Sequence, residues 1–377
     1  MWPIYLFSLL VFGSGIAFFF YFFLRRSLRT FGIQSDKTYI KVILCCVSAF
    51  AAIIGSNIFN FSAIVIIHVV VIALLVQLIN YLLKKIAGKR FDDRFKHWKK
   101  LYGSGVISLV LVIVVVLFGY INLNNVVKTS YTVYTEKNIR SDGYRAALIA
   151  DVHFGVSLNY DELLDKCAEI SKCDIDIAIL CGDIVDDSTS FSEMQEVFAA
   201  LGTIKTKYGI FYTYGNHDRP MSGLGSNYSA DQLIETIKEN GITILKDEIY
   251  EINDDMILVG REDRGYSRNS GRADIQTLLS DVDKERFILT LDHQPNEYEE
   301  NGAAGTDLLL SGHTHGGQLW PLNIIQEIFK FNDAVYGHTD IDDDTQAIVT
   351  SGLAGWRYPI KTVTPAEYVV IDIKNAN

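Results

Sequence analysis

The chain has 377 residues, among them 34 Lys or Arg and 45 Asp or Glu, and these charges are unevenly divided. Residues 1–122 hold 13 basic and 3 acidic side chains, which leaves 21 basic and 42 acidic side chains for residues 123–377. An acidic domain repels the backbone of nucleic acids, so the composition argues against non-specific nucleic-acid binding. The same acidity favours divalent cations. The five cysteines include no C-x-x-C pair and indicate no disulfide framework.

Four apolar stretches in the first part of the chain are long enough to span a bilayer, which takes about 17–25 residues. They cover about residues 4–24, 42–59, 62–83 and 105–121. The first has no basic residue before it and no small-residue cleavage pattern after it, so we expect a retained helix rather than a signal peptide. The sequence predicts a four-helix transmembrane domain over residues 1–122 and a second domain over residues 123–377.

The basic side chains of the first part lie only between the first and second stretches and between the third and fourth. They are Arg25, Arg26, Arg29, Lys37 and Lys41 in the first loop, and Lys84, Lys85, Lys89, Arg90, Arg94, Lys96, Lys99 and Lys100 in the second. The short turn over residues 56–61 has none. The positive-inside rule places both basic loops in the cytoplasm. We therefore predict a multi-pass cell-membrane protein whose residues 123–377 are extracytoplasmic.

Three polar side chains, His68, Gln77 and Asn80, fall inside the third apolar stretch. An ionisable residue at membrane depth is a functional candidate. No second ionisable residue accompanies His68 at that depth, so we expect these side chains to form hydrogen bonds between helices of the anchor.

After residue 122, short β-rich runs alternate with amphipathic segments, which is typical of an α/β domain. Strands are predicted at residues 145–150, 175–181, 210–214, 256–259, 287–291, 308–311, 347–351 and 368–373. Helices are predicted at residues 160–171, 191–201, 230–240 and 274–279. Residues 123–143 are predicted to form a connector that includes a first edge strand. Ser229 followed by Gln232 indicates a capping box at the start of the third of these helices.

Five of the apolar runs end in side chains that can bind metal ions or move protons. These are Asp151 and His153 after the first run, Asp183 and Asp186 after the second, Asn216, His217 and Asp218 after the third, His293 after the fourth, and His313 and His315 after the fifth. Ligands of open α/β sheets bind at the carboxyl ends of strands. In Asp-x-His and His-x-His, the alternation of an extended backbone puts both side chains on one side.

The candidate ligands combine oxygen and nitrogen donors without a thiolate. This set favours manganese, iron or zinc over a structural zinc site of the cysteine type. Each motif alone is a weak signal, because a lone Asp-x-His is usually a chance surface pair and Gly-Asn-His-Asp is usually a turn. Their occurrence together, each after a strand, indicates a metal centre.

The motif set D-x-H, G-D-x-x-D, G-N-H-D, H and G-H-x-H resembles that of the calcineurin-like metallophosphoesterase superfamily, over about residues 145–377. The run S-G-H-T-H-G-G-Q-L-W-P, residues 311–321, looks like the exported, membrane-associated branch typified by small bacterial phosphodiesterases. The resemblance implies a sandwich of two mixed β-sheets flanked by helices, and two divalent metal ions.

The resemblance also assigns the metal ligands. One ion would be held by Asp151, His153, Asp183 and His315, and the other by Asp183, Asn216, His293 and His313. Asp183 would then bridge the ions, in keeping with the need for a shared anionic oxygen between two dications about 3.5–4 Å apart.

By the same resemblance, His217 would be the general acid that protonates the leaving oxygen. Asp186 would orient His217, with Asp218 as the alternative. A metal-bridging hydroxide would attack phosphorus, since metal ions lower the pKa of bound water. We therefore expect a metal-dependent phosphoric ester hydrolase, with phosphodiesters as the favoured class.

The metal motifs do not specify the substrate. The loop that contains Arg261, Arg264, Arg268 and Arg272 either holds a phosphate group or is a solvated surface loop. The segment 352–361 resembles a glycine-rich segment near the site of related enzymes, which often carry Arg at the position of Lys361. Tyr336 and His338 are left without a role.

The membrane anchor favours phosphate esters linked to lipids or to the cell wall as substrates. A metal-dependent nuclease of the same superfamily is an alternative, against which the acidity of residues 123–377 argues. A non-catalytic membrane sensor with a retained metal site is a second alternative. His217 argues against the sensor, because metal binding alone needs no general acid.

Overall fold

The computed structural model describes residues 2–57, 60–88, 91, 95–219, 227–265 and 271–376. The chain divides into two compact units, Met1–Phe118 and Gly119–Asn377. Some residues named in the sequence predictions lie outside the described part, namely Phe59, Lys89, Arg90, Arg94 and Arg268.

The first unit is helical. Its helices are α1 (Trp2–Thr30), α2 (Thr38–Ser56), α3 (Phe61–Ala87), α4 (Lys96–Ser104) and the start of α5 (Val106–Asn124). Among the described residues, α1, α2, α3 and α5 are long and apolar enough to cross a membrane. The prediction of four such helices is confirmed, and the structure extends several of them beyond the predicted bounds.

The polar side chains of α3 make contacts that differ from the predicted pattern. The Nδ1 atom of His68 lies 2.8 Å from the carbonyl oxygen of Ile64, one turn earlier in the same helix. The Oδ1 atom of Asn80 accepts a hydrogen bond of 3.2 Å from the indole nitrogen of Trp98 in α4. The expected bond between helices is therefore found for Asn80, whereas the described hydrogen bond of His68 stays within α3.

The second unit contains two six-stranded mixed sheets. Its strands are β1 (Val127–Thr135), β2 (Tyr144–Ile149), β3 (Ile177–Cys181), β4 (Gly209–Thr213), β5 (Ile242–Ile244), β6 (Glu248–Glu251), β7 (Met256–Gly260), β8 (Phe287–Leu291), β9 (Leu308–Ser311), β10 (Gly337–Asp340), β11 (Gln346–Val349) and β12 (Glu367–Asn375). The first sheet has the order β1-β12-β2-β3-β4-β5, and the second has the order β10-β11-β9-β8-β7-β6.

Helices accompany both sheets of the second unit. They are α6 (Tyr160–Ser171), α7 (Phe191–Leu201), α8 (Ala230–Glu239), α9 (Ile275–Leu278), α10 (Tyr298–Ala304) and α11 (Leu322–Phe329). The predicted α/β class, with two mixed sheets flanked by helices, is confirmed. Strands β5, β6 and β10 and helices α10 and α11 were not predicted, because each is short and several carry mostly exposed residues.

Alternation along the strands builds two apolar layers. In β2, Ala146 and Leu148 pack in a cluster that combines strands of both sheets, so this cluster is the core between them. Ala147 and Ile149 point the other way, into a cluster shared with α6, α7 and α8. Burial of each large aliphatic side chain stabilises the fold by about 1.5–3 kcal/mol. The strands are therefore fixed in register on both faces.

Three helices that cover the first sheet begin with a capping box. The pairs are Asn159 with Glu162 in α6, Ser190 with Glu193 in α7, and Ser229 with Gln232 in α8. In each pair the side chain of the first residue accepts a backbone N–H, and the later side chain accepts the N–H of the first. The capping box predicted at Ser229 is confirmed.

The topology brings the carboxyl ends of five strands to one region. Strands β2, β3 and β4 are parallel neighbours in the first sheet, and β8 and β9 are parallel neighbours in the second. The loops after these five strands carry the side chains that the sequence motifs single out.

Candidate metal centre

A first group of buried ligand atoms comes from the ends of β2 and β9. Asp151, His153 and His315 lie close enough to hold one metal ion, with all ligand atoms within 4.8 Å of one another. The Nε2 atom of His315 is 3.6 Å from Oδ1 of Asp151 and 3.3 Å from Nε2 of His153. Two imidazole nitrogens that face each other at this distance leave room for a shared cation.

A second group lies beside the first. Asp183, His293 and His313, from the ends of β3, β8 and β9, also place their ligand atoms within 4.8 Å of one another. The Oδ2 atom of Asp183 is 3.1 Å from Nε2 of His293 and 3.7 Å from Nε2 of His153. One carboxylate oxygen therefore faces a histidine from each group.

Two further observations concern atoms that lack a hydrogen-bond partner within the described part of the chain. The Oδ1 atom of Asn216 and the Nε2 atom of His293 are both buried and make no hydrogen bond there, although Nε2 of His293 faces Oδ2 of Asp183. The Nδ1 atom of His293 lies 2.7 Å from the carbonyl oxygen of Cys181, so in the neutral ring Nδ1 carries the proton and Nε2 presents a lone pair. A buried acceptor without a partner is unfavourable. These two acceptors fit a metal ion, as does the mixed oxygen and nitrogen donor set.

Five of the candidate ligand residues have a left-handed backbone. They are Asp151, His153, Asp183, His313 and His315, with φ between 37° and 69°. Such a conformation costs of the order of 1–3 kcal/mol for each residue outside glycine. The sharp turns after the strands therefore store strain in order to direct these side chains to one point.

The two aspartates of the centre are held in different electrostatic states. Burial raises the pKa of Asp151 to about 6, with a further increase from the charge of Asp183. Burial also raises the pKa of Asp183, but the charges of His293 and His153 outweigh it and hold that pKa below its ordinary value. Asp183 is therefore the carboxylate that stays ionised between the two groups.

The histidines divide in the same way. Burial lowers the pKa of His313 to about 4 and that of His315 well below its ordinary value. Burial also acts to lower the pKa of His293. The charge of Asp183 outweighs this effect and raises that pKa above its usual range. Neutral imidazole is the form that binds metal ions, so His313 and His315 are ready to bind them at neutral pH.

The predicted contact between Asp186 and His217 is not the one that the structure contains. The Oδ2 atom of Asp186 lies 3.1 Å from Nδ1 of His153, whereas His217 has its Nδ1 atom 3.3 Å from Oδ2 of Asp187. Asp186 therefore orients a histidine of the first group. Asp187, which sequence reasoning missed, orients His217. The D-D pair gives no sign of which carboxylate takes which partner, since both follow the same turn.

Asp218, the alternative partner for His217, has a structural role. Its side chain is fully buried and accepts backbone N–H groups of Asp183, Ile184 and Gly215 at 2.6–2.7 Å. It thereby ties the loop after β4 to the loop after β3. The alternative is wrong, because the carboxylate oxygens of Asp218 are occupied by backbone donors.

His217 lies at the edge of the centre. Its ring is 5.4 Å from that of His153, and its other neighbour is Trp356, also at 5.4 Å between ring centroids. Its backbone N–H donates to Oδ1 of Asp183 at 2.8 Å. Trp356 belongs to the glycine-rich segment 352–361, which the sequence analysis associated with the site. That segment therefore does reach His217 at the edge of the centre.

Two side chains of the arginine loop, Arg261 and Arg272, make contacts within the second unit. Arg272 donates to Asp292 and, at 3.0 Å, to Glu297, while buried Arg261 donates to the carbonyl oxygen of Ala273 at 2.8 Å. Both guanidinium groups are therefore engaged in internal contacts. Asp292 precedes the candidate ligand His293, so its pairing with Arg272 anchors the loop that carries this histidine.

Three other candidates have defined positions. Lys361 is fully buried, donates to the carbonyl oxygen of Ser351, and has a pKa lowered by burial to about 7. Tyr336 donates to Glu367 at 3.0 Å. His338 is exposed on β10, with its Nε2 atom 3.0 Å from Oε1 of Gln346.

Residues 144–317 match the family model described as Calcineurin-like phosphoesterase. The matched residues lie in the second unit and include strand-end loops that carry the paired ligand groups. The resemblance predicted from the motifs is confirmed.

Relatives share this domain. A metallophosphoesterase of Campylobacter jejuni, described as uncharacterized, is 25% identical over 276 residues, which are 71% of this chain and 70% of the relative. A Danio rerio protein described as a transmembrane protein with metallophosphoesterase domain is 26% identical over 280 residues, which are 72% of this chain and 63% of that protein. This chain therefore spans less than two thirds of the Danio rerio relative.

Solved structures also match. A dimetal phosphatase from Danio rerio is 13% identical, with a TM-score of 0.37, over 55% of this chain and 87% of that chain. Together with the four long apolar helices, the relatives indicate a membrane protein with a metallophosphoesterase domain.

Proposed function

We propose that residues 123–377 hydrolyse phosphate esters, with phosphodiesters as the favoured class, at a centre of two divalent metal ions. The observation that carries this proposal is the pair of adjacent ligand groups, in which Oδ2 of Asp183 lies 3.1 Å from Nε2 of His293 in its own group and 3.7 Å from Nε2 of His153 in the other. A structural metal site would need one group only, and neither group is built of cysteines.

The chain offers seven side chains for the two ions. Asp151, His153 and His315 would hold the first, Asn216, His293 and His313 the second, and Asp183 both. When bound, manganese, iron or zinc ions would supply Lewis acidity toward the phosphate and a lowered pKa for a coordinated water. The carboxylate of Asp186 fixes the ring orientation of His153 and thereby the direction of its Nε2 lone pair.

His217 is the proton donor of the proposal. Its Nδ1 atom faces Asp187, which leaves Nε2 to face the substrate. An imidazolium paired with a carboxylate on one side can donate its other proton to the leaving oxygen. Its ring is neither fully buried nor fully exposed, so it lies where a bound ester and solvent meet.

The substrate class follows from the anchor. We place residues 123–377 on the extracytoplasmic side, because the basic loops of the first unit flank the opposite ends of its helices. Esters that are linked to lipids or to the cell wall are present on that side and are within reach of an anchored enzyme. The existence of a relative described as a transmembrane protein with metallophosphoesterase domain supports the link between anchor and domain.

The test uses the full chain in detergent, with bis-p-nitrophenyl phosphate as substrate and manganese as the added metal. Asp183→Asn keeps an oxygen that can accept the backbone N–H of His217, so the turn at His217 should be preserved. Loss of turnover in this variant would therefore result from the lost negative charge of residue 183. His217→Gln should lower kcat by about 10²–10⁴-fold, the usual contribution of a general acid.

His338→Gln is the matched control, because this histidine is exposed and its described contacts, with Gln346, Tyr131 and Asp340, lie outside both ligand groups. It should retain full activity. Wild-type turnover in Asp183→Asn would contradict the metal centre, and wild-type turnover in His217→Gln would contradict the assigned acid.

A further inference from the structure

Helix α11 presents apolar side chains to the outside of the second unit. Its exposed residues, with the aromatic residue that follows it, are Leu322 (44%), Ile324 (42%), Ile325 (40%), Ile328 (69%), Phe329 (66%) and Phe331 (63%). No residue of this helix is buried, and its single charged side chain is Glu327. A contiguous exposed apolar surface of this kind marks a site of interaction.

The polar side of α11 faces inward. The Oδ1 atom of Asn323 and the Oε1 atom of Gln326 are buried and have no hydrogen-bond partner in the described part of the chain. The Cβ atom of Asn323 lies against the position that a side chain on Gly317 would take. A helix on a water-facing surface has the opposite arrangement, with polar groups outward. The orientation of α11 therefore suits an apolar exterior.

A chain of hydrogen bonds inside the second unit links α11 to the last turns of α5. The N–H of Lys361 donates to the carbonyl oxygen of Gly119 at 2.9 Å, and the N–H of Thr362 donates to that of Gln318 at 2.7 Å. The N–H of Trp320 in turn donates to Oγ1 of Thr362 at 2.7 Å. Helix α11 begins two residues after Trp320, so only these hydrogen-bonded steps and a few residues of chain separate its start from α5.

The end of α5 is fixed in the second unit without a linker. The side chain of Asn122 donates to the carbonyl oxygens of Lys361 and Thr364 at 3.0 and 2.7 Å, and Leu123 is almost fully buried. Helix α5 is long and apolar enough to cross a membrane. Its last turns therefore hold the segment that leads into α11 close to the end of a helix that is long and apolar enough to cross a membrane.

We propose that α11 and Phe331 insert into the interfacial region of the bilayer that anchors the chain. The occupant of this apolar surface is lipid rather than another protein, because the segment that leads into α11 is hydrogen-bonded, through Lys361 and Thr362, to the last turns of α5, where Tyr120 and Ile121 are themselves 55% and 63% exposed. Short helices with an outward apolar face bind at the boundary of headgroups and acyl chains. The inference does not rest on the proposed reaction.

The test uses the full chain in nanodiscs of phosphatidylethanolamine and phosphatidylglycerol. Cys45, Cys46 and Cys173 are replaced by serine, since the remaining cysteines are buried. An environment-sensitive fluorophore is attached at Ile328→Cys, or at Phe331→Cys in a second variant. Glu235→Cys on α8 is the matched control, because it is exposed on a helix with a buried apolar face.

We expect blue-shifted emission at positions 328 and 331, with most of the fluorescence lost when doxyl-labelled lipids are included. The control should emit as in water and be quenched by aqueous iodide instead. Water-like emission at both α11 positions would overturn the proposal. Blue-shifted emission that doxyl lipids do not quench would also overturn it, because the surface would then be covered by protein, such as a second copy of the chain.

Discussion

Asp186 and Asp187 are adjacent in the sequence but serve different histidines. Asp186 contacts His153, a proposed ligand of the first group, and Asp187 contacts His217, the proposed acid. A carboxylate behind a metal ligand affects metal affinity, whereas a carboxylate behind an acid affects proton transfer. The two neighbouring residues should therefore give different phenotypes when they are changed.

We expect Asp186→Asn to weaken metal binding by about 10–100-fold, as loss of a partner of a ligating histidine usually does. Asp187→Asn should leave metal affinity unchanged and lower kcat, most strongly for esters with poor leaving groups. Metal titration and steady-state kinetics of the full chain measure the two effects, with Asp165→Asn on exposed α6 as control. Equal losses of metal affinity in both variants would contradict the assignment.

The charge of Asp151 should be costly in the metal-free protein. Burial raises its pKa to about 6, above the ordinary 3.8. Between about pH 4 and pH 6 the folded state thus binds more protons than the unfolded state, and the metal-free protein loses stability as the pH rises through this window. The shift corresponds to about 3 kcal/mol.

We therefore expect Asp151→Asn to raise the Tm of the EDTA-treated chain near neutral pH and to have little effect at about pH 4. The same variant should lose the increase in Tm that added manganese gives the wild type. Thermal unfolding in detergent at several pH values provides the measurement. A lower Tm of the metal-free variant at neutral pH would show that the ionised carboxylate stabilises the empty site.

At the scale of elements, the turns after the strands decide where the ligands point. Gly215 follows β4, and a Cβ atom at this position would clash with the side chain and backbone nitrogen of Asp183. Gly352 has a φ of 79°, and its Cβ atom would clash with Asp151. The backbone at these two positions therefore approaches the aspartates so closely that no Cβ atom fits between them. Only glycine, which has no side chain, permits this approach.

We expect Gly215→Ala to displace Asp183, to destabilise the chain by about 1–3 kcal/mol, and to abolish manganese binding. Gly15→Ala in α1 is the control, because a Cβ atom there meets no heavy atom within 4 Å. Circular dichroism, thermal unfolding and metal titration separate folding from binding. Wild-type metal affinity in Gly215→Ala would show that the turn accommodates a side chain.

At the scale of the whole molecule, the distribution of basic residues predicts the side of the membrane on which each part lies. An engineered cysteine at exposed Lys374 near the end of β12 should react with a membrane-impermeant maleimide in intact cells. A cysteine at exposed Lys100 in α4 should react only after permeabilisation. Cys45, Cys46 and Cys173 are first replaced by serine. Labelling of Lys100→Cys alone in intact cells would reverse the proposed orientation.

Most strands and helices of the second unit could be predicted because their signals are local. Leu308–Ser311 and Phe287–Leu291 are apolar runs that end in metal-binding motifs, and they are observed with the predicted bounds. Strand β6 could not be predicted, since all four of its residues are exposed and its pairing with β7 gives it its structure. Helix α11 has an outward apolar face that the sequence pattern does not distinguish from a buried one.

The sequence by itself determined the α/β class, the four apolar helices and the family, because periodicity, segment length and ordered motifs are properties of the chain. It also named the candidate ligands, since five strand ends carry them. Only the tertiary structure decided which carboxylate faces which histidine. Asp187 rather than Asp186 contacts His217, and Asp218 accepts hydrogen bonds from backbone N–H groups. Such choices depend on contacts between loops that are distant in sequence, and local pattern contains no information about them.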